Sequence, residues 1–280
     1  MPFQLLNGAS TLWKTLARSI LISGPPNSGK TYSARTALGR IAYVAYPGEG
    51  GACSLNLHEI SEKGGKVWVW ENAPAGTPVD YAKIRREVSQ LTTDILAGKH
   101  GPFDTFFGDG LHKYYAVVLA DQTNGASETG EDFEAKAYGP SHKSFFAYLR
   151  NIRDSQAIVN KVFTVWDGRE KDDPDAKDRD TEKHIFPELP GAAAKAIMGE
   201  FAVVVYATVK MMGADRKYVW QTKPQGKVWG CGIKLPQESK VVVPLFVPQD
   251  IGALLTLIDP PAVQAKPTSA AVVVAAVAQV

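Results

Sequence analysis

The sequence predicts an α/β fold: a mostly parallel central sheet with crossover helices and a β-hairpin near its C-terminal end. Three observations predict it. Strand and helix signals alternate through the first two-thirds of the 280 residues. Gly24-Pro25-Pro26-Asn27-Ser28-Gly29-Lys30-Thr31 is a complete G-x-x-x-x-G-K-[ST] loop between an aliphatic run and a helix signal, the context that motif requires. Further on, the apolar run Phe103 to Gly108 delivers an acid, Asp109, at its end.

Taken in order, residues 1–17 are a lead-in whose Leu and aromatic side chains suit a sheet edge. Ser19 to Ser23 is the first strand, and Thr31 to Leu38 reads as a helix closed by Gly39. Ile41 to Tyr46 is the second strand, ended by the turn Pro47-Gly48-Glu49-Gly50-Gly51. Lys66 to Glu71 alternates as a third strand. Tyr81, Ile84, Val88, Leu91 and Ile95 recur at helical spacing, with Gly98 as the stop. After the Asp109 strand comes a helix from His112 to Ala120, then a polar stretch, 121–136, long enough to be a functional loop. Pro140 opens a helix carrying Phe145, Tyr148, Leu149 and Ile152 on one face. Ala157 to Trp166 reads as a strand and Asp167 to His184 as a long loop of mixed charge. A short helix near 191–198 and a strand from Phe201 to Tyr206 follow. Tyr218 to Gln221 and Lys227 to Gly230, split by Lys223-Pro224-Gln225-Gly226, read as the hairpin. The main domain therefore spans 18–257. Residues 258–280 form a Pro/Ala/Val-rich tail, either loose or a partner-docking peptide.

Composition narrows the function classes. Apolar content of 45% supports a full core, and a formal net charge of +2 with 21% charged residues argues against a strongly basic nucleic-acid binder. Two cysteines, Cys53 and Cys231, make neither a disulfide framework nor a zinc cluster, and read as buried apolar side chains of a protein in a reducing cytoplasm. No run has the length of a bilayer span or the pattern of a secretory signal.

The chemistry follows from the residue types. Glycines let the loop's backbone curl around a polyphosphate, and the following helix start adds the positive end of its dipole. The cofactor-binding residues are then Gly24, Pro25, Pro26, Asn27, Ser28, Gly29, Lys30, Thr31 and Tyr32, with the Lys30 ammonium reaching the outer phosphates and the Thr31 hydroxyl suited to Mg²⁺. Asp109 at a strand end is placed to hold Mg²⁺ through its water shell, or else caps the next helix. Gly110 follows it, so a base to activate water must come from elsewhere, and Glu49 in its glycine-flanked turn is the candidate; the alternative is an ordinary exposed turn carboxylate. Of the six tryptophans, Trp68, Trp70 and Trp166 read as core. Trp220 and Trp229 suit either base stacking or cross-strand packing, and His112 reads as a helix-start residue.

The phosphate loop, the Glu49 turn and the acid ending its strand together resemble the RecA-like recombination ATPases. More narrowly, Gly-Pro-Pro-x-Ser-Gly-Lys-Thr, the Glu49-Gly50-Gly51 turn and Leu189-Pro190-Gly191 before an apolar strand resemble phage-encoded nucleotide-binding proteins of the single-strand-annealing, recombinase-paralogue type, over about residues 18–235. That resemblance implies a RecA-like P-loop fold and an ATPase in which Thr31 and Asp109 hold Mg²⁺, Lys30 and Glu49 are catalytic, and Glu49 polarises the attacking water. It implies that the 157–166 strand lies between the two nucleotide strands, with Asp167 at the position that senses the γ-phosphate, where an amide or hydroxyl is more usual. It also implies single-stranded DNA and a single-strand DNA-binding protein as partners, a homo-oligomer, no membrane, and the cytoplasm, of the host cell if phage-encoded. The acidic 121–136 loop would not contact DNA strongly. The 167–184 loop suits DNA, subunit bridging or plain solvation. The rival readings are a small-molecule kinase and a non-catalytic, nucleotide-gated assembly factor. A GTPase is disfavoured because Asn160-Lys161-Val162-Phe163 lacks the Asp expected for guanine recognition.

Overall fold

Ile20, Leu21 and Ile22 have no exposed surface, so the strand they form, β1 (Ser19–Gly24), is covered on both faces. A computed structural model of the chain describes residues 18–70, 77–123, 137–169, 184–190, 192–212, 215–228, 230–235, 239 and 241–258. Among these, β1 is the centre of a ten-stranded sheet. On one side it pairs in parallel with β5 (Asn160–Arg169), which pairs in parallel with β4 (Thr105–Asp109). Beyond β4 lie β2 (Ile41–Ala45) and then β3 (Lys66–Val69). On the other side β1 pairs in parallel with β7 (Val203–Met212), followed by the antiparallel β8 (Asp215–Gln221) and β10 (Phe246–Pro248). Two short strands, β6 (Ile185–Pro187) and β9 (Gly232–Ile233), pair antiparallel with β5 and β7. The 157–166 segment does lie between the phosphate-loop strand and the Asp109 strand, as the RecA-like layout requires.

Because strand side chains alternate, the sheet divides the core in two. Leu21, Val44, Phe106 and Phe163 face α2 (Tyr81–Leu96), α3 (Leu111–Gln122) and α4 (Tyr138–Asp154), with α5 (Ala193–Gly199) at the edge. Ile20, Ile22, Tyr43, Phe107 and Val205 face a 3₁₀ helix (Thr31–Thr36), α1 (Leu57–Glu62) and α6 (Ile251–Ile258). Asp80 caps α2 by accepting from Lys83 N at 2.8 Å, and Gly98 ends it with φ +74°. No helix among the described residues is long and apolar enough to cross a membrane.

Several expectations need correction. The helix after the loop is a six-residue 3₁₀ helix that stops at Thr36 rather than Leu38: Ala37 is already extended, and the Thr36 hydroxyl accepts from Ile251 N of α6 at 2.9 Å. The hairpin is β7–β8, with Lys210 opposite Lys217, whereas 225 and 228 make a single bridge. Asp167 to Arg169 continue β5 rather than opening a loop, because β6 pairs with them. Trp220 is fully buried against the core and cannot stack on a base, and Cys53 is exposed while Cys231 is buried. Trp68, Trp70 and Trp166 are half-buried, Trp68 and Trp70 packed against the core. Trp229, most of the two loops 121–136 and 167–184, the lead-in and most of the tail lie outside the described residues.

Candidate active site

The site begins where β1 ends. Gly24 has φ +150°, and a Cβ there would stand 2.5 Å from Ala207 O and 3.1 Å from Ser28 Oγ. Asn27 turns the loop at φ +61° and Gly29 at φ +87°. The loop closes on itself through Ser28 N to Pro25 O at 3.3 Å and Ser33 N to Gly29 O at 3.1 Å. The Lys30 side chain folds inward, its ammonium donating to Gly24 O and Pro25 O, each at 2.7 Å. Burial lowers that ammonium to about 8, against the opposing pull of Asp109, Asp167 and Glu49. All three acids singled out from the sequence therefore lie within electrostatic reach of Lys30.

Asp109 is 1% exposed and richly held. Its Oδ2 accepts from Thr31 Oγ1 at 2.8 Å and from the Tyr43 hydroxyl, and its Oδ1 accepts from the Thr164 hydroxyl. Thr164 in turn accepts from Gly110 N at 2.9 Å, which links β5 to the end of β4. Neither Tyr43 nor Thr164 was evident from the sequence. A hydroxyl on a buried strand looks like a core residue until its partner is known, and the polar interruption of Val162–Val165 by Thr164 was the one available signal.

Glu49 reaches the same point from β2. Ala45 stands opposite Asp109 in the sheet, Tyr46 N donates to Asp109 O at 3.0 Å, and Glu49 N donates back to Tyr46 O at 2.9 Å. Gly48, with φ +82°, turns the chain so that the Glu49 carboxylate points back toward Asp109. Gly51 N donates to Oε1 at 3.2 Å, while Oε2 is buried with no hydrogen-bond partner. Burial first, and the Asp109 charge second, raise this carboxyl above the usual carboxylate range; the Gly51 N–H, Lys113 and Lys30 oppose them. A Cβ on Gly110 would stand 2.6 Å from Glu49 Oε2. The glycine after Asp109 and the glutamate in the β2 turn are thus one feature, since the Glu49 carboxylate occupies the space a side chain at 110 would need.

Asp167 is held differently. Its carboxylate accepts from the Tyr206 hydroxyl at 2.8 Å, and its backbone pairs with β6. The β5 residue that touches Asp109 is Thr164, a neutral hydroxyl. Beside it, the His112 ring packs against Trp166 with centroids 4.7 Å apart and planes tilted by 32°, and burial lowers the imidazole to about 3, so it stays neutral. Tyr32 is 47% exposed, with the Arg35 guanidinium 3.8 Å from its ring centroid.

The residues present fit a nucleoside triphosphate with Mg²⁺. Ser28 Oγ is a buried polar atom without a partner inside the loop, and a Cβ on Gly51 would stand 2.5 Å from Thr31 Oγ1 and 2.8 Å from Asp109 Oδ2, so the ground beside that pair is kept clear. Thr31 and Asp109 would hold Mg²⁺, which supplies charge neutralisation at the transferring phosphoryl group. Lys30 would turn its ammonium from two backbone carbonyls to phosphate oxygens. Glu49 Oε2 is a buried acceptor left without a hydrogen-bond partner.

A family model described as an AAA domain matches residues 16–230. Comparison with curated proteins finds no match. Among solved structures, the flagellar accessory protein FlaH from Methanocaldococcus jannaschii is 11% identical with a TM-score of 0.38, over 77% of this chain and 84% of that one. An ATPase from the type III secretion system of pathogenic bacteria is 13% identical with a TM-score of 0.43, over 70% of this chain; the match spans only 54% of that ATPase. With the family model covering most of its length and the loop, Glu49 and Asp109 in one place, the chain belongs to the AAA domain family, nucleotide-binding ATPases that use ATP and Mg²⁺.

Proposed function

We propose that this chain couples ATP hydrolysis, with Glu49 as the base, to binding or annealing of single-stranded DNA in phage recombination or replication, as a homo-oligomer. The observation that carries the hydrolytic reading is the buried, unpartnered Oε2 of Glu49 beside the Thr31–Asp109 pair. The DNA reading draws on the resemblance to the annealing and recombinase group and on the β7–β8 hairpin. Lys210 stands directly opposite Lys217 there, and both are exposed, with exposed Arg216, Lys223 and Lys227 nearby in sequence. Cations gathered on one hairpin offer a polyanion several phosphate contacts at once.

The test is fluorescence anisotropy on a labelled single-stranded oligonucleotide with ATP, across a salt series. Binding should weaken steeply with salt, and each phosphate contact removed by Lys210→Ala or Lys217→Ala should flatten the log–log slope by about 0.7. No binding at low salt would refute the DNA reading.

The kinase reading draws on a different feature. A cleft of about 880 Å³, lined by His112, Lys113, Tyr115, Phe186, Glu188 and Lys195, has room for a phosphoryl acceptor, and its Lys113 lies 3.8 Å from where a Cβ on Gly48 of the Glu49 turn would stand. Release of the γ-phosphate as inorganic phosphate, with none on an acceptor, decides for the hydrolase.

A further inference from the structure

The acids fix the direction in which a bound nucleotide must lie. Thr31, Asp109 and Glu49 converge on the flank of β1 that leads through β5 to β4 and β2. The γ-phosphate belongs at that flank, because the metal-holding carboxylate and the base are there. A nucleoside triphosphate carries its phosphates at one end and its base at the other. The base must therefore leave the loop toward the opposite flank, where β7, β8 and β10 stand.

On that flank the loop is met by two side chains. A Cβ on Gly29 would stand 2.4 Å from Gln249 Oε1 and 3.0 Å from Tyr218 Cδ1. Gln249 lies just past β10, and its Nε2 donates to Ser28 O of the loop at 2.8 Å and to Val219 O of β8 at 3.2 Å. Both amide hydrogens are spent on tying the loop to the hairpin, so this amide group fixes where Tyr218 stands relative to the phosphates and donates nothing to a base. Tyr218 is 43% exposed, with the Arg216 guanidinium 5.5 Å from its centroid. Directly across from Arg216 is Met211, 67% exposed, on the same face of the hairpin. Folding thus leaves an aromatic ring uncovered beside the polyphosphate loop, with an exposed thioether further out along the hairpin, while the buried Trp220 one step inward is fully used by the core.

We propose that Tyr218 is the stacking platform for the nucleotide's base, with Met211 and Arg216 flanking it and Gln249 holding the platform in register with the loop. This rests on the reading of the loop as a triphosphate site. Stacking tolerates any base because every base has a π-face, so the platform binds nucleotides without strong choice among their bases.

The experiment compares ATP with inorganic tripolyphosphate, which has the phosphates and no base, by calorimetry with Mg²⁺ on the whole chain. Tyr218→Ala should weaken ATP about tenfold, equivalent to about 1.4 kcal/mol, and leave tripolyphosphate binding unchanged. Tyr218→Phe should bind both like the wild type. Unchanged tripolyphosphate binding also shows that the variant is folded. Lys30→Ala should weaken both probes, and failure of the wild type to bind either would remove the triphosphate reading itself. The platform alone is overturned if Tyr218→Ala binds ATP normally, if it loses tripolyphosphate to the same extent, or if the base-dependent loss appears in Tyr32→Ala instead.

Discussion

Gly51→Ala separates a geometric account of the metal site from a general account of loop flexibility. The added methyl carbon would stand 2.5 Å from Thr31 Oγ1 and 2.8 Å from Asp109 Oδ2, about 0.9 Å short of the 3.4 Å at which ordinary contact with the Thr31 hydroxyl begins. Neither partner can yield freely. Asp109 is held by Tyr43 and Thr164, and Thr31 opens the 3₁₀ helix behind the loop. A misplacement of about 1 Å in a reacting constellation costs on the order of a hundredfold in rate, or about 2.7 kcal/mol of transition-state stabilisation. Gly50→Ala is the internal control: nothing lies within 4 Å of its would-be Cβ, and its backbone, at φ −94° and ψ 0°, suits an alanine. Steady-state ATP turnover with a Mg²⁺ titration should show about a hundredfold lower kcat/KM and a raised Mg²⁺ requirement for Gly51→Ala, and near wild-type behaviour for Gly50→Ala. Full activity in Gly51→Ala, or equal loss in both, would show that the space beside Thr31 and Asp109 does not matter to turnover.

Two further outcomes follow from the same geometry. In kcat/KM, turnover should have an acid limb above the ordinary carboxylate range near 4.3, because Glu49 is raised and works only when ionised; it should also have an alkaline limb near 8, where Lys30 loses its proton. Bound phosphate favours the charged ammonium, so the alkaline limb in kcat should lie higher; a flat profile between pH 5 and 9 would contradict both assignments. Tyr43→Phe keeps the ring stacked on Phe107 at 5.4 Å but removes a donor to Asp109, and should lower the unfolding free energy by about 1.5–3 kcal/mol in denaturant melts and weaken Mg²⁺ binding.

What the sequence disclosed and what it hid divide along local and non-local lines. The loop 24–31, the turn at Glu49 and the acid at Asp109 are short patterns whose residue types carry their own physics, and the sheet brings all three together. The parallel order was legible because β-branched and aliphatic runs alternate with helical ones. The 3₁₀ helix at Thr31–Thr36 was not, because α6 docks on it from more than 200 residues away in sequence and Ile251 N is bonded to the Thr36 hydroxyl. The hairpin was misplaced for a related reason. Tyr218 to Gln221 read correctly as a strand, but its partner is β7, set by burial of Ala207 and Trp220 against each other's sheet face rather than by the Lys223–Gly226 turn. Tyr43, Thr164 and Gln249 were invisible because their roles exist only in contact with residues far along the chain.

In the proposed reaction the Glu49 carboxylate activates water at a site whose nucleotide is held by Lys30, Thr31 and Asp109. Glu49→Gln keeps the shape of the side chain and cannot accept a proton. Release of labelled inorganic phosphate from ATP in a single turnover, measured beside equilibrium nucleotide binding, tests it most directly. Nucleotide affinity should match the wild type while phosphate release falls by about a hundredfold or more. Phosphate release at the wild-type rate in Glu49→Gln would contradict the account.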